Sequence, residues 1–553
     1  MDKTYTHKNV AILGGSTTHD IAICLELFLL NQGIQPIFYE SEYARFYEDA
    51  VFENKDLIAF KPDIIYIHTT NRNLSAYPHL QDNATDVEQL LTSEYTRFTQ
   101  VWYSLRDTYQ CPIIQNNFEY PYYRIMGNKD ASDIHGKTNY ITRLNLKFYE
   151  YAQEHTGFYI NDINYLSADY GLEKWSNPFY WHMYKYALSM QAIPSLAFSV
   201  SNLIKSIFGK NKKAFALDLD NTLWGGIIGD DGVNNIAIGP EHSQGQVYSE
   251  FQSYLKECSE LGIILNVVSK NEHENAIAGL SHEYSLIQPT DCISIKANWN
   301  PKNHNLQEII QEVDLTEESF VFVDDNPAER EIIRQNLPGV SVPELTQPEH
   351  YIRTIDRSGY FEVTTLSNED FQRNTMYQNN KKRREIQNSF VDYNDYLRSL
   401  NMTAVIKPFE EEYLSRIAQL TNKSNQFNLT TKRFTRDEIE SEANDTNKIT
   451  LYGKLADKFG DNGVVSVVIG EQIDNTLHLN LWLMSCRVLK RNMEFAMMDT
   501  VIAHCIQRGI TKIVGYYYKT AKNKMVANFY ELQEFKRISL DDTTILYGNI
   551  KLI

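Results

Sequence analysis

Two aspartates one residue apart follow a short apolar run, and their chemistry suits phosphoryl transfer. The run covers 214–217 and continues into Asp218, Leu219 and Asp220, with Thr222 two residues further on. Carboxylates are costly inside a sheet, but at the carboxyl end of a parallel strand they can meet a cation and a phosphate. The pattern therefore predicts a buried strand that presents both acids to a ligand.

Further along the chain, other polar residues stand where strands are predicted to end. Ser269 and Asp324 each close an apolar run, Asp325 follows Asp324, and Lys302 comes after a turn-like Trp-Asn-Pro sequence. A D-x-D-x-T motif followed in this order by Ser, Lys and an Asp pair resembles the haloacid dehalogenase (HAD) phosphotransferases. The resemblance implies a Rossmann-like HAD domain in the middle of the chain.

The HAD resemblance implies a role for each acid. Asp218 is expected to attack phosphorus and form an aspartyl-phosphate, while Asp220 acts as general acid and base. Mg²⁺ is the expected cofactor, because phosphoryl transfer needs charge neutralisation and this ion prefers oxygen ligands. Its expected ligands are Asp218, the backbone carbonyl of Asp220, Asp324 and, as an alternative, Asp325.

The same resemblance implies that Thr222, Ser269 and Lys302 bind the phosphoryl oxygens of a phosphorylated small molecule. Taken alone, Ser269 also fits a helix N-cap within S-K-N-E, and Asp325 fits a turn or cap residue. The glycine-rich segment 224–232 corresponds to the small flap of the HAD fold, and no large insertion follows it. We therefore expect a minimal cap and a site open to a bulky or macromolecular substrate.

Four longer motifs resemble the FkbH-like (HAD-IIIC) family: L-D-L-D-N-T-L-W-G-G-I-I-G-D-D-G, V-V-S-K-N-E, N-W-N-P-K-N-H-N-L and F-V-F-V-D-D-N-P-A-E-R-E. This resemblance extends over nearly the whole chain. It implies transfer of a three-carbon glyceryl unit from 1,3-bisphosphoglycerate to the thiol of an acyl-carrier protein. Related three-domain proteins in surface-polysaccharide clusters leave a second hypothesis open, a phosphatase for a phosphorylated sugar or glycerol intermediate.

Apolar runs alternate with helical stretches in the N-terminal third, which predicts a parallel sheet. A serine directly after the first run resembles the strand-end serine of an SGNH-hydrolase-like domain. The candidate site residues are Ser16, Asn71 or Asn73, Asn116 or Asn117, and His182. Phe179 stands where that family has an aspartate before the histidine. We expect a degenerate hydrolase fold that binds a ligand or partner, with an active esterase as the alternative.

From about residue 402 the order of segments resembles the Gcn5-related N-acetyltransferase (GNAT) fold. In that fold an R-x-x-G-x-G/A loop at a helix N-terminus binds the pyrophosphate of coenzyme A. Arg487 matches this motif, whereas Lys490 and Asn492 replace its small residues. The replacements argue against the usual acetyl-CoA binding and leave a phosphopantetheine arm as candidate ligand. Asn528 and Tyr530 fall at the positions of the fold's late Asn and Tyr.

Cys486 is the candidate acyl-accepting thiol. It ends a predicted strand beside Arg487 and precedes a predicted helix. Positive charge and a helix N-terminus both lower the pKa of a thiol, which favours the nucleophilic thiolate. The alternative is that Cys486 is a small buried hydrophobic residue.

Length and composition suit a multidomain α/β protein. The 553 residues are 42% apolar, and we expect three domains: an SGNH-like parallel α/β sheet (1–205), a HAD domain with minimal cap (206–385) and a GNAT-like α+β domain (386–553). The net charge of −18 argues against nucleic-acid binding. The basic run 381–384 suits a solvated face or a docking patch for an acidic carrier protein.

Cysteine usage and hydropathy indicate the compartment. Six scattered cysteines without a C-x-x-C pair predict reduced thiols and a cytoplasmic location. No apolar run approaches the roughly 20 residues that span a bilayer, and no signal-peptide pattern is present. The sequence therefore predicts no membrane insertion.

Overall fold

The computed structural model describes residues 5–366, 368–387, 389–424, 426–485, 488–520, 523–540 and 544–548. The chain divides into two compact units: Met1–Lys210 with Thr435–Glu438, and Asn211–Phe434 with Ile439–Ile553. None of the described helices is long and apolar enough to cross a membrane.

Five parallel strands and their crossover helices build the first unit. The elements are β1 (Thr6–Gly14), α1 (His19–Asn31), β2 (Ile34–Glu40), α2 (Phe46–Val51), α3 (Lys55–Phe60), β3 (Ile64–His68), α4 (Ala84–Tyr109), β4 (Ile113–Asn116), α5 (Lys137–Glu154), β5 (Phe158–Asn161), α6 (Ile163–Tyr170), α7 (Leu172–Trp175), α8 (Pro178–Tyr184) and α9 (Ile193–Ile207). The strand order is β2-β1-β3-β4-β5. The predicted parallel sheet is confirmed, and its ligand-binding switch point lies between β1 and β3.

A second parallel sheet carries the aspartate motif. Its elements are β6 (Ala214–Leu217), α10 (Ile228–Asp231), α11 (Ser243–Glu260), β7 (Ile264–Ser269), α12 (His273–Leu280), β8 (Cys292–Ala297), α13 (Lys302–Glu312), β9 (Phe320–Val323), α14 (Pro327–Asn336), α15 (Tyr351–Arg357), α16 (Asn368–Phe371) and α17 (Arg373–Gln387). The strand order is β8-β7-β6-β9. Alternate residues of β6 pack into hydrophobic clusters on opposite faces, so the strand is buried on both sides.

A mixed, mainly antiparallel sheet forms the C-terminal part of the second unit. Its elements are α18 (Tyr393–Ser399), β10 (Thr403–Pro408), α19 (Leu414–Lys423), β11 (Phe427–Asn428), α20 (Arg436–Asn444), β12 (Lys448–Asp457), β13 (Gly460–Ile473), β14 (Thr476–Met484), α21 (Met493–Gln507), β15 (Lys512–Tyr518), α22 (Phe529–Leu532), β16 (Lys536–Leu540) and β17 (Thr544–Gly548). The strand order is β10-β12-β13-β14-β15-β17-β16, with β11 on β14. β14 and β15 form the parallel pair of this sheet, which fits the predicted α+β architecture.

The predicted domain boundaries fall inside helices. The boundary after residue 205 lies within α9 and the boundary after residue 385 lies within α17. The first compact unit ends at Lys210. The three-domain limits therefore remain predictions.

Candidate active site

Sheet register brings the two main acids together. Leu217, the last residue of β6, pairs with Val323, the last residue of β9, so Asp218 and Asp324 leave adjacent parallel strands at the same edge. Ser269 ends β7 on the other side of β6, and Lys302 begins α13. The structure thus gathers four of the predicted site residues at one end of the sheet.

The acids are close enough to share a cation. One carboxylate oxygen each from Asp218, Asp324 and Asp325 lie within 4.8 Å of one another. The Lys302 ammonium is 2.9 Å from Oδ2 of Asp218 and 2.6 Å from Oδ2 of Asp324. Asp218, Asp324 and Lys302 are all buried. A buried cluster with more acids than bases is costly unless further positive charge arrives.

The electrostatics of the cluster reflect this imbalance. Burial and the charge of Asp218 raise the pKa of Asp324, although Lys302 opposes the shift. Burial, followed by Asp218, also raises the pKa of Asp325. Three carboxylates are the hard oxygen donors that Mg²⁺ prefers, so the donor set and its spacing fit the expected ion.

Asp220 is oriented by three hydrogen bonds. Its Oδ1 accepts from the indole Nε1 of Trp224 at 2.9 Å and from the backbone N–H of Ile228 at 3.0 Å, and its Oδ2 accepts from Nδ2 of Asn271 at 3.0 Å. Burial raises the pKa of Asp220, and the first two hydrogen bonds oppose that shift. Sequence reasoning missed Trp224 and Asn271 as partners; both lie within the quoted motifs.

The flap over this edge is small, as expected. Asn221 adopts a left-handed conformation (φ +54°), and its side-chain oxygen accepts from the N–H of Gly226 at 3.0 Å. Gly225 then exchanges two backbone hydrogen bonds with Ala237. Asparagine tolerates this backbone region better than most residues, so the sequence favours a sharp turn directly after Asp220.

Thr222 and Ser269 are buried beside the acids. The hydroxyl of Thr222 accepts a hydrogen bond from the N–H of Asp325 at 3.3 Å, which ties two strand-end loops together. The N-cap position of α12 is Glu272, so Ser269 does not cap that helix. Asn326 caps α14, so the cap role considered for Asp325 belongs to its neighbour. Phosphate binding by Thr222, Ser269 and Lys302 remains a prediction.

Arg330 is a second group that sequence reasoning missed. Its Nη1 donates to the backbone carbonyls of Asp324 at 2.9 Å and of Asp325 at 2.7 Å. Its guanidinium is also 3.4 Å from a carboxylate oxygen of Glu344. This buried arginine fixes the loop that carries two of the expected metal ligands.

No hydrogen bond joins Ser16 to His182 within the described residues. Ser16 is buried and its Oγ has no partner within the described residues. His182 is exposed on α8, and its imidazole makes no hydrogen bond within the described part of the chain. Asn73, not Asn71, supports the serine turn, because its Nδ2 donates to the carbonyl of Gly15 at 2.7 Å. The possible site at Ser16, Asn71 and His182 therefore stays a prediction, with the degenerate hydrolase favoured over an active esterase.

Two further polar residues of the first unit, His68 and Glu119, are buried. His68 contacts Asn116 at 3.1 Å, and burial lowers the pKa of His68 to about 4. Glu119 accepts from the N–H of Asn71 at 3.2 Å, and burial raises the pKa of Glu119 to about 7. Sequence reasoning missed both residues, because a single His at the end of a strand, or a single Glu shortly after one, belongs to no motif with a recognisable spacing.

The C-terminal candidates are only partly described. Cys486 and Arg487 lie outside the described residues. Lys490 is exposed, and Asn492 precedes α21 in a left-handed conformation without a side-chain cap. Asn528 directly precedes α22, whereas Tyr530 is buried against Phe535 and Tyr547. Tyr530 is therefore a core residue, which argues against the predicted contact with a pantetheine arm.

The gap between β14 and β15 is closed by the chain itself. The two strands pair over Thr476–Leu479 and then stop pairing. Beyond that point Phe427 and Asn428 pair with Met484 and Leu483 of β14, and the carbonyl of Leu429 accepts from the N–H of Tyr518 of β15 at 2.8 Å. Backbone groups near the ends of both strands are thus bonded to Phe427–Leu429.

The second sheet, with its strand-end acids and short flap, has the architecture of a HAD-type domain. The chain also contains a parallel α/β domain and an α+β domain. Residues 9–205 match the family model described as the FkbH N-terminal domain, so this part of the chain is similar to that domain. The predicted resemblance to FkbH-like proteins is thereby confirmed. Among curated proteins, no sequence matches this chain.

One solved structure agrees with the HAD-type architecture. The N-terminal part of the protein BF1531 from Bacteroides fragilis, described as containing a phosphatase domain and complexed with Mg, is 27% identical with a TM-score of 0.61, over 66% of this chain and 97% of that chain. The PaiA N-acetyltransferase from Thermoplasma acidophilum in complex with coenzyme A is 14% identical with a TM-score of 0.21, over 27% of this chain and 98% of that chain. The second likeness is too weak for any functional inference.

Proposed function

We propose that this chain is a Mg²⁺-dependent phosphatase of the HAD type that acts on a small phosphorylated molecule. The observation behind the proposal is the convergence of Asp218, Asp324 and Asp325, the first two of which are buried and ion-paired with Lys302. The phosphatase domain with Mg in the BF1531 structure supports it. The short flap leaves room for a substrate attached to a larger molecule.

The proposed reaction has two displacements. Because Lys302 engages Oδ2 of Asp218, we assign Oδ1 to attack on phosphorus; the bond to the leaving oxygen breaks while Asp220 donates a proton to that oxygen. Asp220 then takes a proton from a water that attacks the aspartyl-phosphate, which releases phosphate and restores Asp218. Mg²⁺, when bound by the carboxylates and the Asp220 carbonyl, neutralises charge on the phosphoryl oxygens.

Phosphate release from a panel of phosphorylated three-carbon acids, glycerol phosphates and sugar phosphates tests this proposal. We expect turnover that requires Mg²⁺ and falls about 10³-fold or more in Asp218→Asn. Asp230→Asn is the matched control, because Asp230 is an exposed acid of the same flap, and it should keep activity within about twofold. Turnover in the presence of a chelator, or a fully active Asp218→Asn variant, would contradict the proposal.

A narrower hypothesis follows from the FkbH-like resemblance. With a 1,3-bisphosphoglycerate-like donor, attack by Asp218 on the phosphorus of the acyl phosphate would release a free carboxylate, and the activated acyl group needed for a thioester would be lost. A thiolate, from Cys486 or from an acyl-carrier protein, must instead attack the carbonyl carbon and expel phosphate, forming a thioester. The Asp218 site then hydrolyses the remaining phosphate ester of the loaded glyceryl group and releases phosphate.

Intact-mass measurement separates the narrow and broad hypotheses. Asp218→Asn should leave a phosphorylated glyceryl thioester on the carrier, whereas the wild type should leave the dephosphorylated form. Fully dephosphorylated carrier from Asp218→Asn would contradict the division of labour. Phosphate release without any carrier, unchanged in Cys486→Ala, would instead support a phosphatase for a sugar or glycerol phosphate intermediate.

A further inference from the structure

Trp299 carries an exposed indole close in sequence to Lys302. The residue is 68% exposed, whereas Trp224 and Trp482, the other tryptophans of the second unit, are fully buried. A tryptophan side chain has one of the largest apolar surfaces of any residue, and such surfaces usually lie in cores or interfaces. An indole that folding leaves in water next to the candidate active site is therefore a candidate contact for the substrate.

The loop that carries Trp299 is fixed against the predicted phosphate-binding residues. The backbone N–H of Asn298 donates to the carbonyl of Ser269 at 3.2 Å. The side-chain oxygen of Asn298 accepts from Nδ2 of Asn305 at 2.9 Å, and Asn305 lies on α13, the helix that Lys302 begins. Trp299 thus follows a residue bonded both to the end of β7 and to this helix, so it lies at the edge of the proposed phosphate site.

The indole is also linked to Asp220. Its Nε1 donates to Oε1 of Glu272 at 2.6 Å, and Asn271, the residue before Glu272, donates to Oδ2 of Asp220 at 3.0 Å. The polar atom of the indole is thereby satisfied, and the ring is oriented beside the proposed general acid. The exposed part of the ring is apolar and suits contact with the C–H groups of a ligand.

A second exposed apolar residue adjoins Asp220 through the flap. Ile227 is 47% exposed, and the next residue, Ile228, donates its N–H to Oδ1 of Asp220 at 3.0 Å. The two oxygens of Asp220 therefore bind the segments 227–228 and 271–272, and an exposed apolar side chain adjoins each segment. Because Asp220 is assigned to protonate the leaving oxygen, we expect the rest of the leaving group to lie close to Ile227 and Trp299.

Acids accompany both of these apolar residues. Glu272 binds the indole, and Oδ2 of Asp231 accepts from the N–H of Ile227 at 2.8 Å. Lys270, a cation of the same segment as Glu272, is already paired with Glu329 at 2.5 Å. A second negative charge on the substrate, away from its phosphate, would therefore meet repulsion from Glu272 and Asp231.

We propose that Trp299 and Ile227 select a phosphate monoester with an uncharged leaving group, and that Glu272 and Asp231 disfavour a leaving group with its own negative charge. The inference rests on the proposed phosphatase function and narrows its substrate class. Apolar contact favours a leaving group with exposed C–H surface, such as an alcohol, a polyol or an ester. For a phosphorylated three-carbon acid, an acyl-transfer reaction should therefore convert the carboxylate to an ester or thioester before the phosphate is removed.

A matched pair of substrates tests the charge preference at saturating Mg²⁺. 3-Phosphoglycerate and its methyl ester differ in the charge of the carboxyl group, and we expect kcat/KM to be at least about tenfold higher for the ester. Glu272→Gln keeps an oxygen that can accept from the indole but removes the charge. It should raise kcat/KM for the free acid at least about threefold and leave the value for the ester within about twofold.

Glu257→Gln is the matched control for this variant. Glu257 is an exposed acid near the end of α11 that leads into β7, so it lies towards the opposite edge of the sheet from Ser269. Its replacement should leave kcat/KM for both substrates within about twofold of wild type.

Variants of Trp299 test the apolar contact. Trp299→Ala should raise KM for the methyl ester about tenfold with kcat within about threefold, because a contact shared by ground state and transition state is lost. Trp299→Phe keeps an aromatic surface and should stay within about threefold of wild type. Phe495→Ala removes another exposed ring of the second unit, on α21, and should change KM less than about twofold.

The results separate this inference from the phosphatase function. Turnover that Asp218→Asn abolishes, with equal kcat/KM for the ester and the free acid, would overturn the inference and leave the phosphatase function in place. An unchanged KM in Trp299→Ala, or an ester-to-acid ratio that Glu272→Gln does not reduce, would also overturn it. Absence of Mg²⁺-dependent turnover with any phosphate ester would overturn the phosphatase function and the inference with it.

Discussion

The ammonium of Lys302 lies 2.6 Å from Oδ2 of Asp324, across the end of the second sheet. Burial opposes the charge of Lys302, but Asp218 and Asp324 outweigh it and raise the pKa of Lys302 to about 12. The lysine therefore stays protonated at physiological pH. Its positive charge screens the repulsion between the carboxylates of Asp218 and Asp324. Its position also suits contact with an incoming phosphate.

Replacement of Lys302 by glutamine tests both roles of its ammonium, which are to screen the two carboxylates and to contact the phosphate. Loss of the ammonium should reduce phosphate release about 10²-fold or more, because a fixed positive charge near the phosphoryl group is removed. The same loss leaves the carboxylates of Asp218 and Asp324 unscreened. Added Mg²⁺ should therefore raise the melting temperature of Lys302→Gln by more than it raises that of the wild type, as differential scanning fluorimetry can measure.

Lys270→Gln is the matched control for this variant. Lys270 is paired with Glu329 at 2.5 Å and is not bonded to the acid cluster. Its removal should leave turnover within about threefold of wild type and leave the Mg²⁺-induced change in melting temperature unaltered. An equal response of the two lysine variants to Mg²⁺ would count against the role assigned to Lys302.

Trp224→Phe tests the orientation of Asp220. The indole Nε1 donates to Oδ1 of Asp220, and a hydrogen bond to the charged form of a carboxyl group lowers its pKa. Without it, the already raised pKa of Asp220 should rise further. The limb of the rate–pH profile that reports Asp220 should therefore move to higher pH: the alkaline limb if protonation of the leaving oxygen limits the rate, and the acidic limb if activation of water does. The maximal rate should fall about tenfold. A lower rate with neither limb moved would show that the tryptophan acts only through packing.

Arg330→Gln tests the loop that carries two expected metal ligands. Arg330 fixes the carbonyls of Asp324 and Asp325, and outer-shell groups of this kind commonly affect metal affinity 10- to 100-fold, so we expect at least about tenfold more Mg²⁺ for half-maximal activity. Arg334→Gln is the control, because Arg334 also contacts Glu344 but not these carbonyls. Equal Mg²⁺ requirements in both variants would contradict the proposed role.

The strand-end acids could be predicted because their signal is local. A buried strand such as 214–217 needs a continuous apolar run, and a polar residue directly after it marks the strand end. Parallel pairing then aligns the ends of neighbouring strands, so the sequence pattern alone is enough to predict that Asp218 and Asp324 lie close together. The same logic predicted the parallel sheet of the first unit, although the short strand Phe158–Asn161 was not recognised.

Contacts that join distant elements could not be predicted in this way. Arg383 stands within the basic run 381–384, for which a solvated face or a docking patch was expected. The arginine is instead buried by its ion pair with Asp457, 74 residues away. The closure of the β14–β15 gap by Phe427–Leu429 is also invisible in the sequence, because a two-residue strand has no measurable periodicity.

Glu119 should make the stability of the first unit depend on pH. This carboxyl group is 3% exposed, and burial raises its pKa from 4.5 to about 7. Between those values the folded chain binds more protons than the unfolded chain, so the free energy of unfolding falls as pH rises. At about 1.4 kcal/mol per pKa unit, the cost above pH 7 approaches about 3 kcal/mol.

Glu119→Gln keeps the shape of the side chain and removes its ionisation. We expect urea unfolding to show a variant about 2–3 kcal/mol more stable than the wild type at pH 8, with the difference vanishing towards pH 4.5. His68, whose pKa burial lowers to about 4, is common to both proteins and cancels in the comparison. Glu53→Gln, an exposed carboxyl of the same unit, should show no such pH-dependent gain. A stability difference between Glu119→Gln and wild type that stays constant across this pH range would show that Glu119 is ionised in the folded protein.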